Sequence, residues 1–242
     1  MTEDRPRERH IVAMGGGGFS MEPDVPSLDD FVLGLARVAG ARERPRICFI
    51  PTASGDAPLY VRNFYDAFAP KAEPSWLPLF ERDRRDLRSF LLAQDAVYVG
   101  GGNTVNVLAI WRLHGVDAIL REAWTAGVVL SGLSAGSLCW FEAGVTDSFG
   151  PGLAPFADGL GFLPGSHCPH YDGEALRRPD YHRLIGAGLA GGIAADDGAA
   201  LHYVGTELAE VVTSEATAGA YRVERVDGRV VETRLPSRHL GA

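Results

Sequence analysis

Lysine is almost missing from this sequence: Lys71 stands alone, and every other strongly basic side chain is arginine. Lys plus Arg total 23 against 31 Asp plus Glu, a net charge of −8, with a sequence pI near 5.4. The bias toward arginine reads as codon composition. Because the arginines form no stripe, the acidic balance excludes nucleic acid as the expected partner. Cysteine is scarce too. Cys48, Cys139 and Cys168 are odd in number and widely spaced, which excludes a disulfide framework and suits the reduced thiols of a cytosol. Long apolar runs are absent: Val128-Val129-Leu130 is typical, far short of the roughly 20 residues a membrane helix needs. The charged start MTEDRPRERH has no apolar segment behind it, so no secretory signal is expected. These absences predict a cytoplasmic protein with neither a membrane nor a nucleic-acid partner.

What is present is an ordinary globular balance, 46% hydrophobic and 22% charged, with 30 Gly and 15 Pro. At 242 residues a chain buries about 70% or more of its unfolded surface, so a core needs no staple or metal. No repeat, low-complexity linker or second core stands out. Residues 1–242 therefore read as one domain, with residues 1–9 expected to be disordered.

Short apolar runs alternate with helical patterns. Ile11–Met14 runs into Gly15–Gly18, Ile47–Ile50 into Pro51, Ala96–Val99 into Gly100–Gly102, and Val128–Leu130 into Ser131-Gly132; Trp76–Leu79 is a further run. Helical periodicity covers Asp29–Val38, Leu59–Phe68, Asp83–Leu92 and Thr104–Leu113 or beyond. Runs bounded by Gly or Pro and separated by helices predict βαβ units with strands buried on both faces. The expected fold is α/β, a doubly wound, largely parallel sheet with helices on both faces. Asp227-Gly228, between Tyr221–Val226 and Val230–Thr233, predicts a C-terminal hairpin. Ligands of such sheets bind beyond the carboxyl ends of the strands.

Gly132-Leu133-Ser134-Ala135-Gly136 carries the chemistry most directly. A tight strand-to-helix turn needs small neighbours to push a serine hydroxyl out while backbone N–H groups face the same space. Ser134 is thus the candidate nucleophile. Gly100-Gly101-Gly102-Asn103-Thr104 also ends a strand and opens a helix, and could present further donors. Of seven histidines, His170 in a polar, proline-bearing loop is the best candidate base. His167 and Cys168 admit a rival metal site, but no second Cys/His pair stands at ligand spacing. His10, His114, His182, His202 and His239 read as surface or core polar residues. For the orienting carboxylate, Asp147 and the pair Asp196-Asp197 are both open by spacing alone.

The order and spacing of Gly100-Gly101-Gly102-Asn103-Thr104, Ser134-Ala135-Gly136, Asp147, Pro169-His170 and Asp197-Gly198 resemble the peptidase E (aspartyl dipeptidase) family of serine peptidases. That family has a class I glutamine amidotransferase-like fold, and the similarity runs from about Ile11 to about Leu201. The resemblance implies Ser134 as nucleophile, His170 as general base, Asp197 at the triad-acid position, and the N–H groups of Gly102 and Ala135 as oxyanion hole. It makes Asp147 a further active-site carboxylate; Asn103 and Arg178 are additional substrate-side candidates. The triad acid is often Glu in that family, where this chain has Asp. A preference for peptides with N-terminal aspartate needs a cation, for which Arg177, Arg178 and Arg183 follow His170. The resemblance implies a short-peptide substrate, no cofactor, no metal, and a monomer or homodimer.

Two rival functions remain at this point. An α/β-hydrolase-like esterase shares Gly-x-Ser-x-Gly but places its histidine after its acid, an order that only Asp147 would satisfy. A non-catalytic amidotransferase-like module could bind a ligand at Met14–Gly18, although that run lacks dinucleotide-binding spacing.

Overall fold

The computed structural model describes residues 8–83 and 85–241. The alternation expected of βαβ units leads the chain through β1 (His10–Met14), α1 (Gly18–Met21), α2 (Ser27–Gly40), β2 (Arg46–Ile50), α3 (Pro58–Phe68), β3 (Glu73–Trp76), α4 (Leu87–Leu92), β4 (Ala96–Val99), α5 (Thr104–His114), α6 (Val116–Thr125) and β5 (Val129–Leu133). Past the serine motif follow α7 (Ala135–Leu138), β6 (Phe141–Thr146), β7 (Ala154–Phe156), β8 (Leu163–Cys168), α8 (Arg177–Gly186), β9 (Gly192–Ala195), β10 (Ala199–Val204), β11 (Glu207–Thr213), β12 (Ala220–Val226), β13 (Arg229–Arg234) and β14 (Ser237–His239). The fold is α/β, as the patterning predicts, but it holds two sheets.

The larger sheet has the order β14-β11-β10-β1-β5-β4-β2-β3. Its centre, β1, β5, β4, β2 and β3, is parallel, while β10 runs antiparallel to β1 and β11. Side chains alternate between two apolar layers. Ile11, Ala13, Cys48, Ile50, Val97 and Val99 face one core; Val12, Met14, Ile47, Phe49, Ala96 and Tyr98 face the other. Both sets are buried, so the strands read as unbroken apolar runs. Phe49, Phe64 and Phe68 stack with centroids 4.7 and 4.5 Å apart, which locks α3 onto the second face.

The smaller sheet, β13-β12-β9-β8-β6-β7, is parallel through β6, β8 and β9. It ends in the expected hairpin: Val226 pairs with Arg229, and Asp227 and Gly228 take φ of 49° and 79°, the double positive φ of a type I′ turn.

Several local expectations shift. Trp76–Leu79 contributes only its first residue to β3; Leu77 N–H still reaches Phe49 O at 2.9 Å, but Pro78 has no N–H to continue the ladder. The expected Asp83–Leu92 helix begins at Leu87, where the Asp86 carboxylate accepts the Ser89 N–H at 2.7 Å; Arg84 lies outside the described residues. The expected disorder of residues 1–9 fails at its last residue, because Arg9 O accepts the Gly205 N–H at 2.7 Å. Residues 1–7 lie outside the described residues. Gly165–Cys168 belongs to strand β8, so the loop expected around His170 starts only at Pro169.

Candidate active site

The carboxyl ends of β1, β4, β5, β8 and β9 deliver the expected site residues. Ser134 leaves β5 with φ 56° and ψ −117°, a conformation costing about 1–3 kcal/mol and typical of functional turns. Its carbonyl accepts the N–H groups of Ser137 and Leu138 at 3.0 and 2.9 Å, which starts α7 at once. The flanking glycines are there for space. A Cβ on Gly136 would run into Val99 O, and one on Gly132 into Gly136 O. Within this buried run Ser134 alone is partly exposed.

The Gly100–Gly102 loop lies alongside. An added Cβ on Gly101 would stand 3.4 Å from the Ser134 Cβ, and Gly101 N–H donates to the Tyr60 hydroxyl at 3.2 Å. At Gly102, φ 139°, an added Cβ would run into Ala53 O, so the position is closed to other residues. Neither Gly102 N–H nor Ala135 N–H donates to a backbone carbonyl among the described residues.

His170 follows β8, also at positive φ, 53°. Its Nδ1 lies 2.6 Å from Asp197 Oδ1, with the His170 side chain 15% exposed and Asp197 31%. The carboxylate can only accept, so Nδ1 carries the hydrogen and Nε2 is the free nitrogen. Asp197 N–H donates to Asp172 Oδ1 at 2.9 Å, which braces the acid from behind.

The glycine run after β1 joins the two halves. Ser134 N–H donates to Met14 O at 3.2 Å, His170 N–H to Gly15 O at 3.3 Å, and Gly198 N–H to Gly16 O at 3.1 Å. Three successive carbonyls thus hold the serine, the histidine and the residue after the aspartate. Ser134 comes from the larger sheet, His170 from the smaller, and Asp197 from the passage between β9 and β10. The Met14–Gly18 run, which the sequence offered as a possible ligand loop, is the brace of this arrangement.

Other candidates sit differently. Asp147, just past β6, is exposed, and among the described residues only its carbonyl is engaged, by Gly150 N–H at 3.2 Å. Its neighbour Ser148 ties the segment to α5, its Oγ accepting Thr104 N–H at 2.8 Å. Asn103 uses both ends of its amide internally: Oδ1 caps α5 at Asn106 N–H, 2.8 Å, and Nδ2 donates to Ser148 O, 3.1 Å. Arg178 pairs with Glu232 and lies over Tyr171 and Tyr221. Arg177 pairs with Glu174 at 2.7 Å and Arg183 with Asp180 at 2.7 Å. Every arginine offered for substrate binding is therefore already held by a carboxylate. His167 and Cys168 point to separate partners: His167 Nδ1 faces Ile193 O at 2.8 Å, and the buried thiol of Cys168 is pushed up to about 12 by desolvation.

The comparisons with known proteins place the chain in a family. The family model for peptidase family S51 matches residues 11–211. The chain belongs to peptidase family S51. It is similar to the uncharacterized peptidase YgaJ of Bacillus subtilis (strain 168), 53% identical over 96% of this chain and 100% of that one. It is also similar to peptidase E of Shewanella denitrificans, 36% identical over 32% of this chain and 33% of that one. Among solved structures, a peptidase from an acI-B1 Actinobacterium aligns with TM-score 0.70 and 19% identity over 96% of each chain, a likeness of fold. As a family S51 member the protein is a serine peptidase. No helix among its described residues is long and apolar enough to cross a membrane.

Proposed function

We propose that this chain hydrolyses dipeptides and other short peptides through an acyl-enzyme on Ser134. The observation that carries the reading is the 2.6 Å bond between His170 Nδ1 and Asp197 Oδ1, held beside Ser134 by the successive carbonyls of Met14, Gly15 and Gly16. Nε2 of His170 takes the Ser134 hydroxyl proton as Oγ attacks the scissile carbonyl carbon. The N–H groups of Gly102 and Ala135 receive the oxyanion. The imidazolium returns its proton to the leaving amine, and water, deprotonated by His170, releases the acyl group as the carboxylic acid. Asp197 keeps the imidazole in one tautomer throughout.

On the substrate side, the exposed Asp147 carboxylate is the group proposed to meet the peptide's terminal ammonium, while Asn103 serves it indirectly by tethering Ser148. A preference for N-terminal aspartate finds no free cation in Arg177, Arg178 or Arg183. The chain is proposed to act in the cytoplasm as a monomer or homodimer. The order Ser134, His170, Asp197 supports a peptidase of this family over an esterase. A panel of Asp-Leu, Ala-Leu and isoaspartyl-Leu, run with wild type and Ser134→Ala, tests the reading. Cleavage that falls by at least about 10³-fold in the variant is expected. Full activity in Ser134→Ala, or loss of wild-type activity in EDTA, overturns it.

A further inference from the structure

His167 takes no part in the reaction just described, yet it is fully buried on β8, three residues before His170. Its Nδ1 faces Ile193 O at 2.8 Å. A carbonyl only accepts, so Nδ1 carries the hydrogen. Burial holds the ring's pKa down at about 4, so at neutral pH the ring is uncharged and Nε2 is a bare acceptor. Ser137 Oγ stands 3.0 Å from that Nε2 and 2.8 Å from the carbonyl oxygen of Ser134. The single hydroxyl hydrogen lies within reach of both acceptors. The far face of the His167 ring stacks on Phe141, centroids 4.6 Å apart, so the ring has little freedom to turn.

The Ser134 carbonyl and the Ala135 N–H are two ends of one planar peptide unit and point in opposite directions. Whatever fixes the carbonyl also aims the N–H. Ser134 sits at a positive φ that a non-glycine residue leaves readily unless its surroundings hold it. The Ser137 N–H and hydroxyl, with the Leu138 N–H, converge on that carbonyl.

We propose that Ser137 and His167 are positioning residues: by anchoring the Ser134 carbonyl to β8 and β9, they aim the Ala135 N–H at the oxyanion. This inference rests on Ser134 being the nucleophile. The anchored group acts on charge present only in the transition state, so its loss lowers kcat and leaves KM near its wild-type value.

The test uses a fluorophosphonate that labels nucleophilic serines, whose adduct presents an oxygen to the same hole. Labelling rate constants and final stoichiometry are measured by intact mass, beside kcat and KM for a cleaved dipeptide. Ser137→Ala and His167→Phe are expected to slow labelling and kcat by roughly tenfold each, with complete labelling at the end point. The double variant is expected to be little slower than either single one, since both remove the same link. His167→Gln, whose side-chain carbonyl can accept from Ser137, is expected to recover most of the rate. A misfolded fraction would lower the stoichiometry and leave the rate constant of the remaining molecules unchanged. Wild-type rate constants in both Ser137→Ala and His167→Phe overturn the inference while the serine mechanism stands. A wild-type chain that takes no label on Ser134 overturns the mechanism and the inference together.

Discussion

The backbone of Gly16 lies against the carboxylate of Asp197 with no room for a side chain between them. An added Cβ would overlap Oδ1 and reach within 3.0 Å of His170 Cε1. Gly16→Ala should therefore push the aspartate off the imidazole without removing either group. Its kcat is expected to fall toward that of Asp197→Asn, itself lowered by on the order of 10⁴-fold on every substrate. Steady-state kinetics of the two variants, with circular dichroism to confirm folding, checks this. A Gly16→Ala enzyme at wild-type kcat would mean the contact is slack.

Asp147 predicts a different pattern. Its carboxylate is exposed and outside the His170 bond, so Asp147→Asn should leave hydrolysis of a p-nitrophenyl ester near wild type. The same variant should raise KM for dipeptides with a free α-amino group by roughly tenfold. Equal losses on both substrates would put Asp147 in the bond-breaking step instead.

Arg178 is committed to Glu232, on the hairpin strand β13, rather than to substrate. Arg178→Gln is expected to lower Tm by a few degrees, in keeping with loss of a partly exposed ion pair worth about 1 kcal/mol. The ratio of Asp-Leu to Ala-Leu cleavage should not change. A selective loss of Asp-Leu cleavage would return Arg178 to the substrate side.

A pH prediction comes from Asp29, buried beside Tyr98 on the far side of the first glycine loop. Desolvation raises its carboxyl from 3.8 to about 7. The folded state then keeps a proton that the unfolded chain has already released, so this contribution to stability is full below about pH 4 and is lost as pH rises through about 7. Asp29→Asn removes that dependence. Measured by thermal melts, the variant should gain on wild type by roughly 1–3 kcal/mol between pH 5 and pH 8. A constant difference across that range would show that Asp29 is ionised in the fold.

The parallel half of the larger sheet was legible because β1, β2, β4 and β5 are short apolar runs closed by Gly or Pro. The smaller sheet was not. Its inner strands read FEAGVT, LPGSHC and GIAA, rich in glycine and alanine and poor in the branched residues that announce a strand; only pairing with distant neighbours makes them strands. Ser134 stood out because it follows the apolar run of β5 within Gly-x-Ser-x-Gly, whereas His170 and Asp197 follow strands that the sequence does not announce and stood out by residue type and by the resemblance. The partners that engage Asn103 and Arg178, Ser148 and Glu232, were not legible because they lie 45 and 54 residues away in the chain. The bracing roles of Gly15 and Gly16 had a signal, four glycines in a row after β1, but nothing local shows which backbone those glycines must admit.

Because the serine belongs to one sheet and the histidine to the other, the order of synthesis matters. A growing chain holds Ser134 well before it holds His170, and His170 before Asp197. Its hydroxyl is then an ordinary alcohol on an incomplete sheet, with β10 and β11 still to be added beside β1. Under the proposed mechanism, a chain made only as far as His170 lacks the carboxylate that orients its imidazole, so cleavage waits for Asp197. On that mechanism, the unfinished chains have no means of cutting one another.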